Sequence, residues 1–262
     1  MRKSIVSMLA VLVAVLVAVP VLAITYGTFD GEGHPNVGAM IAERTPGVKR
    51  PLCSGTLIAP KVFLTASHCT TYLEGLGISD VWVTFDAKFN AETATLYHGR
   101  MVSHPEYRAQ QNDPHDIAVI LLDEAVTDRT PAPLPTLGLM DELNEQNGLK
   151  EQSFTAVGYG IQEPVPGQGG VTHDWPQERW VAVATFSALN DSWIRMQQNQ
   201  QLTDGGTCNG DSGGPNFLGS SDLLVGITIT GDMECFATNV AYRLDTQSAR
   251  DFLSQFEGVV LP

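Results

Sequence analysis

Short apolar runs, each too brief for a long helix and each bounded by Gly, Pro or Asp, recur along most of the chain. "SGTLIAPKVFLTASHC" (54–69) holds two of them, broken at Ala59-Pro60. "VWVTFDA" (81–87) alternates apolar and polar residues. "DIAVILLD" (116–123), "SFTAVGYG" (153–160), "RWVAVATFS" (179–187) and "LLVGITIT" (223–230) continue the series. β-Branched and aromatic side chains suit the pleated, half-buried surface of a sheet, and turn residues between such runs separate strands. Many short strands of this kind predict an all-β sandwich or barrel. One late helix is expected within "TQSARDFLSQFE" (246–257), where Ala249, Phe252, Leu253 and Phe256 share a face. There is no internal repeat.

The first 23 residues follow another pattern. Arg2 and Lys3 precede an almost wholly apolar stretch, Ile5 to Val19, then Pro20 and the small-residue end Val21-Leu22-Ala23. This reads as a secretory signal peptide cleaved after Ala23, not as a membrane anchor. Its removal takes the net charge from −14 to −16. An acidic balance of this size argues against a nucleic-acid partner, since no basic patch is available to meet phosphates. Export implies an oxidising compartment in which disulfides persist. Cys53, Cys69, Cys208 and Cys235 allow three pairings, and their order along the chain suggests two local loops, Cys53–Cys69 and Cys208–Cys235. No Cys-x-x-Cys or His-x-x-x-His pair appears, so no metal and no other cofactor is expected.

With 262 residues, 43% of them hydrophobic, the chain can bury a core as one large domain or two small ones. The Pro-rich stretch "TDRTPAPLPTLG" (127–138) reads as a linker, and the charged "LMDELNEQNGLKEQ" (139–152) as an exposed loop or helical turn. The expected division is therefore signal peptide 1–23, a first half 24–126, linker and loop 127–152, and a second half 153–262. "QEPVPGQGGVTHDWPQE" (162–178) reads as a long surface loop.

"TCNGDSGGP" (207–215) sets Ser212 between Asp211 and two glycines. A tight turn would use the same residues. A serine hydroxyl becomes a useful nucleophile only when a base lies within hydrogen-bond reach and a third group orients that base. Histidine suits the base role because its ordinary pKa lies near operating pH. Of the six histidines, His34, His98, His104, His115 and His173 sit in turns, at strand ends or in loops. His68 stands directly before a cysteine that a disulfide would fix. Asp116 opens the apolar run 116–123, and a carboxylate leading into a core strand needs a partner there.

"LTASHC", "DIAVI" and "GDSGGP", in that order, resemble the trypsin/chymotrypsin family of serine proteases. "HPEY" (104–107), "VGYG" (157–160) and "VGITITGDMEC…VAYRL" (225–244) extend the likeness over nearly all of 24–257. The resemblance implies two antiparallel β-barrels with the active site in the cleft between them, a C-terminal helix and two disulfides. It implies a secreted, monomeric endopeptidase acting on protein or peptide substrates, with no membrane partner once the signal is removed. Ser212 would attack the scissile carbonyl, His68 would carry the proton and Asp116 would orient the histidine. The N–H groups of Gly210 and Ser212 would form the oxyanion hole. Asp211 would pair with a freed N-terminal amine, for which Ile24 is the candidate, so that signal cleavage itself would activate the chain. Tyr26 stands where the family has a small residue.

For specificity, the family pattern places Gly206 at the floor of the pocket, with Ile229, Thr230 and Gly231 along its wall and Val240 lower down. Without a charge at Gly206, a small or medium apolar side chain is expected before the scissile bond. Asp232 and Glu234 lie near the rim, as a solvated loop or as a recruiter of basic residues. Two other classes compete. A catalytically silent binding protein on the same fold is opposed by the intact trio His68, Asp116 and Ser212. An α/β-hydrolase would need its histidine after the serine, and none follows Ser212.

Overall fold

The computed structural model describes residues 24–262 apart from 163, 168 and 169. The expected signal peptide, 1–23, lies outside the described residues. In chain order the strands begin with β1 (Thr28–Phe29), β2 (Val37–Thr45), β3 (Val48–Ala59) and β4 (Val62–Thr65). After helix α1 (Ser67–Gly75) come β5 (Asp80–Thr84), β6 (Tyr97–Ser103) and β7 (Ala118–Leu122). Six of these close on themselves in the order β2-β3-β4-β7-β6-β5, with β5 returning to pair with β2.

Helix α2 (Leu139–Glu145) and a short 3₁₀ turn (Gly148–Glu151) lead into β8 (Ser153–Gly158). Then follow the hairpin β9 (Pro164–Gly167) and β10 (Gly170–His173), the long strand β11 (Trp180–Leu189) and the shorter β12 (Trp193–Gln197). β13 (Pro215–Leu218), β14 (Leu224–Gly231), β15 (Thr238–Arg243) and helix α3 (Gln247–Leu253) complete the chain. The order β11-β12-β15-β14-β13-β8, with β8 pairing back onto β11, closes a second six-strand barrel. Both barrels are antiparallel. Closure removes the sheet edges that would otherwise invite pairing with other chains.

Alternation fills each barrel. Met40, Leu57, Phe63, Val81, Val83 and Ile120 are buried in the first, and Phe154, Ile194, Met196, Val225 and Ala241 in the second. A third cluster joins the two. Leu64, Ile117 and Val119 meet Phe217, Ile227 and Tyr242, and α3 lays Ala249, Phe252 and Leu253 against them. α3 is capped by Thr246, whose side-chain oxygen accepts from the N–H of Ala249 at 3.2 Å. The expected apolar face of 246–257 is thus present, in a helix shorter than that stretch.

Arg179 fastens the barrels at another point. Fully buried, it donates Nε–H to Asp30 Oδ2 at 2.7 Å and Nη1–H to the carbonyls of Val37 and Phe85 at 3.0 and 2.9 Å. A buried guanidinium is tolerated only when paired and hydrogen-bonded in this way.

Each of the runs read as strands contributes one, with shifted ends. The tail of 54–69 does not stay extended, because α1 begins at Ser67. Its hydroxyl donates to the Ile117 carbonyl at 2.7 Å, and Cys69 is tied to Cys53. The Pro-rich stretch is packed down: Ala132 and Leu134 are buried, and the Ala132 N–H donates to the Leu57 carbonyl at 2.8 Å. The charged segment after it forms α2 and the 3₁₀ turn. Residues 162–178 contain the β9–β10 hairpin within their expected loop. Among the described residues, no helix is long and apolar enough to cross a membrane.

Candidate active site

His68 is the second residue of α1, and its placement follows from a missing cap. Ala66, at the N-cap, has no side-chain oxygen to satisfy the first amides of the helix. Asp116 reaches across from the start of the β7 segment and supplies one. Its Oδ1 accepts the His68 backbone N–H at 2.8 Å, and its Oδ2 meets His68 Nδ1 at 2.8 Å. One carboxylate thus caps the helix and grips the imidazole. It favours the tautomer with the proton on Nδ1, which leaves Nε2 as an acceptor. The Asp116 side chain is 9% exposed and that of His68 27%, so the pair is dry on one side and open on the other.

Ser212 and His68 border one cavity of about 310 Å³, together with Thr207, Thr228, Ile229, Thr230 and Gly231. No hydrogen bond joins the Ser212 hydroxyl to the imidazole among the described residues; in resting enzymes such bonds are often long and tighten on substrate binding. The backbone N–H groups of Gly210 and Ser212 donate no hydrogen bond among the described residues either, so both donors are available to a ligand. Gly210 has φ +99°, a conformation that a side chain would oppose.

Barrel one supports this loop from behind. The Ser54 hydroxyl donates to the Gly210 carbonyl at 2.9 Å and accepts the Tyr159 N–H at 2.9 Å, while the Ser54 N–H donates to the Ser212 carbonyl at 2.9 Å. Sequence reading passes over Ser54. Its one signal is the place beside Cys53, which the disulfide to Cys69 holds near His68.

Asp211 is fully buried. Its carboxylate accepts the N–H of Gly160 at 2.8 Å and of Cys208 at 2.9 Å. It lies so close to Gly158 and Gly160 that a side chain at either position would collide with it. No Lys, Arg or His pairs with it among the described residues. Burial therefore pushes its carboxyl up to about 7, against the downward pull of the two N–H groups.

Ile24 is fully buried against Trp180 and Ala182, and Thr25 bridges to Gly206. Trp180 stands opposite Gly158 in the β8–β11 ladder, which puts Ile24 and Asp211 against the same stretch of barrel two. Ile24 is also a β-branched residue at φ +45°, an uncommon conformation for it.

The specificity residues divide. Ile229, Thr230 and Gly231 line the cavity beside Ser212. Gly206 is not in its lining: the Gln198 side chain lies against it, accepting the Thr207 N–H at 2.8 Å and donating to the Thr207 carbonyl at 3.2 Å. Val240 borders a neighbouring cavity instead. The Asp232 carboxylate is turned into its own loop, accepting N–H groups of Phe236, Ala237 and Thr238 at 2.9, 2.9 and 2.7 Å. Burial raises its carboxyl, but these three donors outweigh that and hold it below the ordinary value. Both disulfides, Cys53–Cys69 and Cys208–Cys235, are formed, and the second borders the cavity.

A family model described as Trypsin matches residues 31–252. The trypsin of Saccharopolyspora erythraea is 27% identical over 207 residues, covering 77% of this chain and 83% of that protein. Kallikrein-2 of Homo sapiens is 25% identical over 206 residues, 70% of this chain and 71% of its own length. Serine protease 1 of Drosophila melanogaster is 30% identical over 189 residues, 68% and 65% respectively. Among solved structures, neuropsin, a serine protease expressed in the limbic system of mouse brain, has the same fold. Its TM-score is 0.61 at 20% identity, over 85% of this chain and 95% of that one.

Proposed function

This chain belongs to the trypsin family of serine proteases, and on that premise we propose that it is a secreted endopeptidase working through Ser212, His68 and Asp116. The observation that carries the reading is the two-point hold of Asp116 on His68, beside a cavity that Ser212 shares. In this reading Ser212 Oγ attacks the scissile carbonyl while His68 Nε2 takes its proton. The N–H groups of Gly210 and Ser212 receive the oxyanion, an arrangement in which each donor contributes about 2.7–4 kcal/mol to the transition state. His68 then protonates the leaving amine, an acyl-enzyme remains on Ser212, and water reverses the sequence. Asp116 keeps the proton on Nδ1 and stabilises the imidazolium.

The cavity beside Ser212 presents hydroxyl, methyl and backbone groups from Thr207, Thr228, Ile229, Thr230 and Gly231, and its one carboxylate, Asp232, is occupied by its own loop. This favours a small or medium apolar side chain before the scissile bond over Arg or Lys. A fluorophosphonate probe tests the reading. It labels the secreted protein and fails to label a folded Ser212→Ala variant; equal labelling of the two would place the nucleophile elsewhere, and no labelling of the unaltered protein would favour the silent binding protein.

Activation fits the same frame. Among the described residues Asp211 is a buried carboxylate without a cation, and Ile24 packs against the same part of barrel two. Cleavage after Ala23 frees an ammonium at Ile24 that can enter beside Asp211. Sequencing the N-terminus of active secreted enzyme decides this, and any start other than Ile24 sinks it.

A further inference from the structure

A second cavity, of about 520 Å³, adjoins the one beside Ser212 and shares His68, Ile229 and Thr230 with it. Two guanidinium groups line it, from Arg108 and Arg195. Neither has an ion pair among the described residues. The one carboxylate on the wall, Asp116, is taken by His68. Of the acids on the Arg108 loop, Asp113 accepts the Tyr242 hydroxyl at 2.9 Å, and Glu106, which is exposed, lies 3.5 Å from His115 Nε2 and forms no ion pair with either guanidinium. In a chain of net charge −14, two uncompensated cations beside the candidate catalytic histidine form a local field opposite to that of the whole.

Both arginines stand on fixed backbone. Arg195 stands on β12, opposite Val240 of β15. Arg108 adopts φ +62°, pinned by its N–H bond to the Pro114 carbonyl at 3.0 Å, and its guanidinium lies 5.1 Å from the centre of the Tyr107 ring. The Tyr107 ring and hydroxyl restrict the guanidinium, whose five N–H donors exceed what one hydroxyl can take and leave donors for a carboxylate.

The direction of a bound peptide follows from the shared wall. The residue whose carbonyl faces Gly210 and Ser212 places its side chain beside Ile229–Gly231. The β14–β15 register shifts between Thr228 and Thr230, which leaves Ile229 outside the ladder and free to pair with an extended strand. The Arg-lined cavity continues this wall. The leaving side lies along Cys53, Cys69 and Tyr72, in an adjoining cavity that Arg108 also borders; Arg195 borders only the first, so the pair of guanidiniums belongs to the Ile229 side.

We propose that the Arg108–Arg195 cavity binds the carboxylate of an Asp or Glu located two to four residues before the scissile bond, so that the substrates are acidic peptides. The proposal rests on the endopeptidase reading and names its substrate class. The test uses quenched-fluorescent peptides that differ only in Glu, Gln or Lys across those positions. The secreted enzyme prefers Glu over Gln by about 5- to 20-fold in kcat/KM, the range for an exposed to half-buried charged hydrogen bond. The Glu/Gln ratio falls toward one in R108Q/R195Q, whatever its absolute rate, and shrinks in high salt. A ratio of one in the unaltered enzyme, or a ratio that survives in the double variant, overturns the proposal. Binding of the same peptides to Ser212→Ala reads the cavity without turnover: tighter binding of the Glu peptide supports it and equal Kd values overturn it. Absence of cleavage with a retained Glu preference in binding would therefore remove the endopeptidase reading and leave the acidic site standing.

Discussion

The Ser54 hydroxyl of barrel one donates to the carbonyl of Gly210 at 2.9 Å, so the first barrel holds the loop on which the candidate oxyanion donors of the second are mounted. The same hydroxyl accepts the Tyr159 N–H, which ties β8 to the joint. Ser54→Ala leaves both a buried N–H and a carbonyl without a partner, at about 1–3 kcal/mol. If Ser54 positions the loop, kcat falls about 5- to 30-fold with KM nearly unchanged. A loss of Tm alone, with kcat intact, would show that its role is confined to folding.

Asp116→Asn separates geometry from chemistry. The amide can accept from the His68 backbone N–H but favours the wrong imidazole tautomer. A loss of about 10⁴-fold in kcat is expected, with the fold retained. Steady-state kinetics on a protein with unaltered circular dichroism checks this, and a loss under tenfold contradicts the assigned role.

The buried Asp211 makes the stability of the intact chain depend on pH. Its folded value, about 7, lies above the ordinary 3.8, so the folded state holds a proton that the unfolded state releases. Stability is therefore greatest below about pH 4 from this group and is lost as pH rises through 7, by roughly 4 kcal/mol in all. A chain beginning at Ile24 supplies an ammonium and removes that decline. Urea denaturation of the S212A protein at pH 5 and pH 8, with and without residues 1–23, reads the difference; identical pH profiles would refute the pairing.

Asp30 gives the opposite sign. Burial raises its carboxyl, but hydrogen bonds with His34 and Arg179 outweigh it and hold the group below 3.8. The stability it contributes is present above that value and lost as pH falls through the lowered one. Asp30→Asn strands Arg179 as a buried charge and destabilises by about 3–5 kcal/mol, which thermal unfolding at pH 7 measures.

The strands most legible in sequence are those buried on both faces, such as "AVILL" of β7, where an unbroken apolar run leaves little choice. β2 (VGAMIAERT), β6 (YHGRMVS) and β12 (WIRMQ) mix Gly, Met, His or Arg into their alternation, and their pairing comes from distant partners that no local pattern records. The same division runs through the site. His68, Asp116 and Ser212 stand in recognisable local contexts, and the fold brings the first two into contact. Gln198, which lies against Gly206, and Arg108 and Arg195 acquire their meaning only from closure of barrel two and from the turn after β6. Nothing within a few residues of any of them signals it.

The bridge between Thr25 and Gly206, with β1 stitched to β11 just after it, anchors the start of the described chain to a wall of barrel two. If the freed amine of Ile24 is what settles Asp211, recombinant material with an affinity tag ahead of Ile24 would carry a plug at that seam and present a sound barrel with a slack catalytic loop.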